Sequence, residues 1–160
     1  MSPFMKPVMN IDVPDVLLEK AITSSPSGYV ITDTGQTDKP VIFVNKAFQQ
    51  ITGYEAKEVL GRNCDFLIGK DTDQSSLDKI RDAVKKGHRF TAVVRNYKKD
   101  GSLFYNELTI VSTLKDKSGK EAYRIWSLRD VTDSIEAQRE FALQLTEKDK
   151  RFSAYMENSN

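Results

Sequence analysis

The chain has 160 residues, the length of one ordinary domain with some flanking helix. It is 39% hydrophobic and 29% charged, which is enough apolar material for one core in a water-soluble chain. Its 24 basic and 23 acidic residues leave a formal charge of +1 with no long basic stretch, so nucleic-acid binding by this segment is not expected. No apolar run is long enough to span a membrane. Residues 1–10 do not read as a signal peptide. One histidine and one cysteine cannot make a zinc site of the usual kind. The lone cysteine also excludes an internal disulfide, in keeping with a reducing cytoplasm. What remains is a small-molecule pocket, a partner surface, or both.

In chain order, Val16, Leu17, Ala21 and Ile22 fall at helical spacing over 14–25, with Pro14 suited to a first turn. Ser24 to Gly28 breaks that helix. Tyr29–Thr32 and Pro40–Val44 read as two strands of a hairpin around a turn-rich loop. Asn45 caps a short helix, Lys46–Thr52, that stops at Gly53. A further helical turn covers 55–60, and 63–68 is compact and mixed. Residues 73–86 form an amphipathic helix whose Leu77, Ile80, Ala83 and Val84 share one face, with Gly87 just past its end.

Three strands follow, 90–97, 103–114 and 122–130, joined by turns at Lys99-Asp100-Gly101 and 115–120. Two strands, several short helices and three strands predict an α+β fold. It is a five-stranded antiparallel sheet with short helices on one face, plus N- and C-terminal flanking helices. A last helix starts at Thr132 or Asp133 and passes residue 150. Val131, Ile135, Phe141/Ala142, Leu145 and Phe152 repeat near 3.5, a partial heptad that Gln138 and Lys148/Asp149 interrupt. It suits pairing with a second copy or with its own domain, and with the helix at the other end it favours a homodimer through the flanking helices; a solvated connector is the plainer reading. Residues 152–160 echo 18–26, which reads as the opening of a second, similar domain. The expected division is an N-terminal cap at 1–27, a core at 28–131 and a linker helix at 132–160.

The most informative stretch is Gly61-Arg62-Asn63-Cys64-Asp65-Phe66-Leu67-Ile68-Gly69. With Asn45…Phe48…Thr52-Gly53-Tyr54, Asn96-Tyr97…Asp100-Gly101…Phe104…Asn106 and Arg129-Asp130-Val131-Thr132, it resembles the light-oxygen-voltage (LOV) branch of the PAS domains. The family's pattern here is G-R-N-C-R-F-L-Q-G. The resemblance covers about residues 28 to 131 and implies a PAS-like fold and a blue-light photoreceptor that binds FMN. It also implies a reversible bond between the Cys64 sulfur and flavin carbon C4a, with a signal relayed by flanking helices to an effector in the same chain. By composition alone Cys64 would read as an inert core thiol.

The resemblance implies further roles, position by position. Asn96 and Asn106 match the amides that bond the pyrimidine edge of the ring, which needs both donors and acceptors. Asn63 matches a ribityl contact. Val30, Thr32, Leu67, Ile80, Val84, Leu108 and Ile110 would line the ring and chain, though all would otherwise pass as core. Arg81 matches a phosphate-gripping arginine, for which a guanidinium fork is suited.

Three positions depart from the pattern. Asp65 stands where a second phosphate-binding arginine is usual, which weakens the preference for FMN over FAD or riboflavin; Lys70, Lys79 or another base could compensate. Ile68 replaces a glutamine. Leu128 stands where the family carries its signalling glutamine, so the route from flavin N5 to the sheet must differ. A light-insensitive PAS domain for ligand binding or dimerisation is the competing reading. A flavoenzyme is a weaker one, since no acid/base constellation surrounds the motif and His88 reads as a surface residue.

Overall fold

A computed structural model describes residues 14–159. The N-terminal segment read above as lacking a signal peptide lies outside the described residues, as do residues 11–13 of the expected cap and Asn160. The elements run α1 (Asp15–Thr23), β1 (Gly28–Asp33), β2 (Val41–Val44), α2 (Lys46–Thr52), α3 (Ala56–Val59), a 3-10 turn (Cys64–Leu67), α4 (Ser75–Lys86), β3 (Phe90–Tyr97), β4 (Leu103–Lys115), β5 (Glu121–Asp130) and α5 (Thr132–Asn158). The five strands form one antiparallel sheet in the order β2-β1-β5-β4-β3. The last strand thus inserts beside the first, and β1 and β5 become neighbours in the middle of the sheet.

Local chemistry explains the short elements. Asn45 is 2% exposed, and its Oδ1 accepts from the Phe48 N–H at 3.1 Å as the α2 cap and from the Tyr29 N–H at 2.8 Å. Its Nδ2 donates to the carbonyls of Ile22 and Ser27. One amide therefore ties α1, β1 and α2 together, and each bond offsets the cost of burying a polar group. Gly53 and Gly87 end α2 and α4 in the left-handed region that favours glycine. Pro14 is the N-cap of α1 rather than part of its first turn. Gly28 serves a different need: a Cβ there would lie 3.1 Å from the Phe48 backbone, so only glycine lets β1 pass so close to α2.

Two groups of buried side chains make the core. Val30, Val41, Val44, Phe48, Val59, Leu67 and Leu128 pack beneath α2, α3 and the 3-10 turn. Leu77, Ile80 and Val94 pack between α4 and β3. Leu108 and Trp126 touch both groups. Gln74 fixes α4 at the sheet edge: its Oε1 accepts from the Arg95 N–H at 2.7 Å, and its Nε2 donates to the Arg95 carbonyl at 3.0 Å. A side-chain amide here does the work of a neighbouring strand. Asp71, which receives Arg95 Nε and Nη2 at 2.7 Å each and the Tyr97 hydroxyl at 2.8 Å, braces the same corner.

The flanking helices have no buried residues. Helix α5 is 27 residues, about 40 Å at 1.5 Å per residue. The stretch that echoes 18–26 continues this helix unbroken to Asn158. Its first turns are held by β4: Val131 N–H donates to the Tyr105 carbonyl, Tyr105 N–H to Thr132 Oγ1, and Arg139 Nη1 to the Tyr105 hydroxyl at 2.7 Å. No helix among the described residues is long and apolar enough to cross a membrane.

Candidate functional site

Between the two halves of the core lies a cavity of about 390 Å³. Its floor is the inner face of the sheet and its walls are α4 and the 3-10 turn. Strand alternation places Val30 and Thr32, Val94 and Asn96, Asn106 and Leu108, and Arg124, Trp126 and Leu128 on that face. Helical spacing adds Ile80, Arg81 and Val84 from α4, and the 3-10 turn adds Cys64 and Leu67, with Asn63 at its cap. Of the residues expected to line a ligand, only Ile110 is elsewhere. It is buried at 4% exposure, opposes Trp126 on β5, and borders a smaller cavity of about 160 Å³ beside His88 that shares Val84 and Arg124 with this one.

Asn96 and Asn106 are brought together. They sit diagonally across the β3–β4 pair, where Val94 opposes Asn106 and Asn96 opposes Phe104. Asn106 Nδ2 donates to Asn96 Oδ1 at 2.9 Å. Asn106 Oδ1 is buried and has no partner within the protein. An orphaned buried carbonyl costs roughly 1–3 kcal/mol, and a ligand N–H would relieve that cost. Apolar walls, an amide pair and an acceptor that needs a donor fit a flat heteroaromatic ring with an imide edge, as a flavin has.

Cys64 is half-buried against the core group that contains Leu128. Burial pushes its thiol up to about 12; the Asp65 carboxylate pushes the same way and Arg62 opposes both. The sulfur is therefore a protonated thiol at neutral pH, able to deliver hydrogen and sulfur together but poor as a dark nucleophile.

The polar residues divide by how fully the protein already uses them. Asn63 Nδ2 donates to the Asp38 carbonyl at 2.9 Å and its Oδ1 accepts from the Asp65 N–H, so its amide is mostly spent as a cap and loop tie. Arg81 lines the cavity and pairs with Asp78 at 3.1 Å in solvent. Lys70 and Lys79, the bases expected to compensate for Asp65, are exposed and are not part of the lining, whereas Lys39 and Lys85 are. Asp65 and Ile68 also line the site, and Leu128 is 2% exposed within it.

Sequence reading missed Trp126 and Arg124. The signal was present: once Leu128 is placed inside, period-2 alternation puts 126 and 124 inside as well. Lys39 had no such signal, since it lies in a loop with φ 47°, and only the fold brings that loop to the 3-10 turn. No cluster of three or more metal-ligating side chains occurs among the described residues.

Comparison with known proteins agrees with this geometry. Residues 26–133 match the PAS domain family model. A blue-light photoreceptor of Listeria monocytogenes is 43% identical over 136 residues, covering 85% of this chain and 53% of that protein, so the chain spans about half the length of that relative. A LOV domain solved in work on a flavin analogue and LOV mechanism superposes with a TM-score of 0.66 at 34% identity, covering 82% of this chain and 96% of that one. An RNA-binding LOV receptor superposes with a TM-score of 0.75 at 29% identity, covering 91% of this chain and 42% of that one. The order of the elements, the cavity and these matches together place the chain in the PAS domain family and, within it, in the light-oxygen-voltage branch.

Proposed function

We propose that this chain is a flavin-binding, blue-light sensory module in which Cys64 is the photoreactive thiol. The observation that carries the reading is one cavity shared by Cys64, the Asn96–Asn106 pair and apolar walls. A bound flavin supplies blue-light absorption and a ring carbon that can take up sulfur reversibly. The protein's part is to hold the Cys64 thiol protonated against its apolar core, and to fix the ring edge with Asn96 and with the free carbonyl of Asn106. FMN is the flavin this reading favours over FAD or riboflavin.

The signal leaves by a route that does not need an amide at position 128. Asn106 faces the cavity, and its neighbour Tyr105 points to the other face of β4, where it clasps α5 through Thr132 and Arg139. A shift at Asn106 reaches the helix through one peptide unit. Helix α5 then carries it to an effector, with enzymatic output, if any, outside residues 14–159. Its uncovered Phe141, Leu145 and Phe152 support a homodimer through the flanking helices. The balanced charge supports a segment that does not itself contact nucleic acid, no helix among the described residues is apolar enough to span a membrane, and the single cysteine fits a reducing cytoplasm. RNA binding is stated only of the neighbouring receptor.

The test is optical. Protein loaded with FMN should show a three-peaked band in the blue that bleaches on illumination and returns in the dark. Cys64→Ala should keep the band and lose the bleaching. A protein that takes up no flavin, or bleaching that survives in Cys64→Ala, would refute the reading.

A further inference from the structure

Position 65, where the family pattern has a phosphate-binding arginine, carries a carboxylate. The structure gathers other cations around the same cavity. Lys39 comes from the β1–β2 loop, Arg81 and Lys85 from one face of α4 four residues apart, and Arg124 from β5. Against these four cations stands one carboxylate in the lining, Asp65. Two of the four have carboxylate partners: Asp78 for Arg81 and Glu121 for Arg124. The other ion pair along α4 joins Asp82 to Lys86, which leaves Lys85 without an ion-pair partner among the described residues.

Arg124 is the unusual member. It is 8% exposed, lies 5.5 Å from the Trp126 ring centroid, and its Nε is buried with no hydrogen-bond partner. Glu121 meets only the outer end of the guanidinium. A buried guanidinium N–H without an acceptor is costly, and an anionic oxygen is the acceptor it suits best. The cavity is polarised along the strands. Asn106 opposes Asp130 on β5, and Arg124 is six residues earlier, about 20 Å at the strand rise. One end thus offers neutral amides and the other offers cations.

We propose that Lys39, Lys85 and Arg124, together with Arg81, hold the phosphate of the bound flavin nucleotide in place of an arginine at position 65, and set a preference for phosphorylated flavin over riboflavin. The proposal rests on the flavin reading above. It assigns binding roles to Lys39, Lys85 and Arg124, none of which belongs to the motif that the sequence shares with the family.

The experiment is a pair of titrations of flavin-free protein, with FMN and with riboflavin, read by quenching of flavin emission and of Trp126, the single tryptophan. The wild type should bind FMN at least about tenfold more tightly, since a hydrogen bond to a charged group is worth roughly one to two decades of affinity. Lys39→Gln/Lys85→Gln and Arg124→Met should each shrink the FMN-to-riboflavin ratio by about tenfold or more. Asp65→Arg should widen it. Raising the salt should weaken FMN more than riboflavin. Equal wild-type affinities, or variants that lose both flavins alike, would overturn the proposal while leaving flavin binding intact. Uptake of neither flavin by the wild type would overturn the flavin reading itself, and this one with it. Should Arg124→Met fail to fold, the double lysine variant and the salt series still decide.

Discussion

Leu128→Gln restores an amide where the family pattern has one, and its effect can be worked from the structure. Leu128 is 2% exposed, opposes Leu108 on β4 and Gly28 on β1, and is diagonal to Asn106. Diagonal neighbours on one sheet face are about 7–8 Å apart, within reach of a glutamine. Without ligand, the substitution gives up roughly 1.5–3 kcal/mol of leucine burial. It regains about 0.5–1.5 kcal/mol if the new Nε2 donates to the orphaned Asn106 Oδ1. The net loss of about 1–2 kcal/mol should lower Tm by roughly 2–8 °C in a domain of this size. Leu128→Met keeps shape and apolarity and should cost under about 1.5 kcal/mol. With flavin bound, the glutamine adds a donor beside the ring, so the blue absorption band should move to the red, whereas Leu128→Met should leave it in place. The assays are thermal unfolding of the flavin-free protein and the absorption spectrum of the loaded one. A glutamine variant as stable as wild type with an unmoved band would show that residue 128 does not face the ring.

Two further outcomes concern titrating groups. Because burial holds the Cys64 thiol near 12, dark alkylation by iodoacetamide should stay slow from pH 6 to 9, and should accelerate on unfolding, which returns the thiol to its ordinary range; fast labelling of the folded protein would contradict the apolar setting. Asp71 is held at about 2 by hydrogen bonds from Arg95 first and Tyr97 second. Its folded value is below its unfolded one, so the stability it adds is complete above about pH 4 and fades as pH falls towards 2. The stability gap between wild type and Asp71→Asn should follow that course, and a gap that widened on acidification would rule the arrangement out.

Much of this protein was legible in the sequence because its signals are local. Periodicity located every strand and the helices α2 and α4 to within a residue or two, and Asn45, Gly53 and Gly87 marked their ends through capping and left-handed backbone. Asn96 and Asn106 stood out because asparagine has few ordinary roles within strands, and Cys64 only because the residues around it match a family pattern. The rest depended on contacts between segments distant in sequence. Which strand lies beside β1 is a matter of topology, and the insertion of β5 there is what turns Leu128, Trp126 and Arg124 into one wall. Lys39 reaches the site because the β1–β2 loop packs on the cap at Asn63. Lys70 and Lys79 were the nearer bases in sequence, but an exposed turn and the outer side of α4 carry them away. Composition and alternation determine which face of an element is buried; only the packing of elements decides what that face meets. The sequence by itself therefore determined that Cys64 sits in a flavin-type motif, and the tertiary structure decided which cations stand around it.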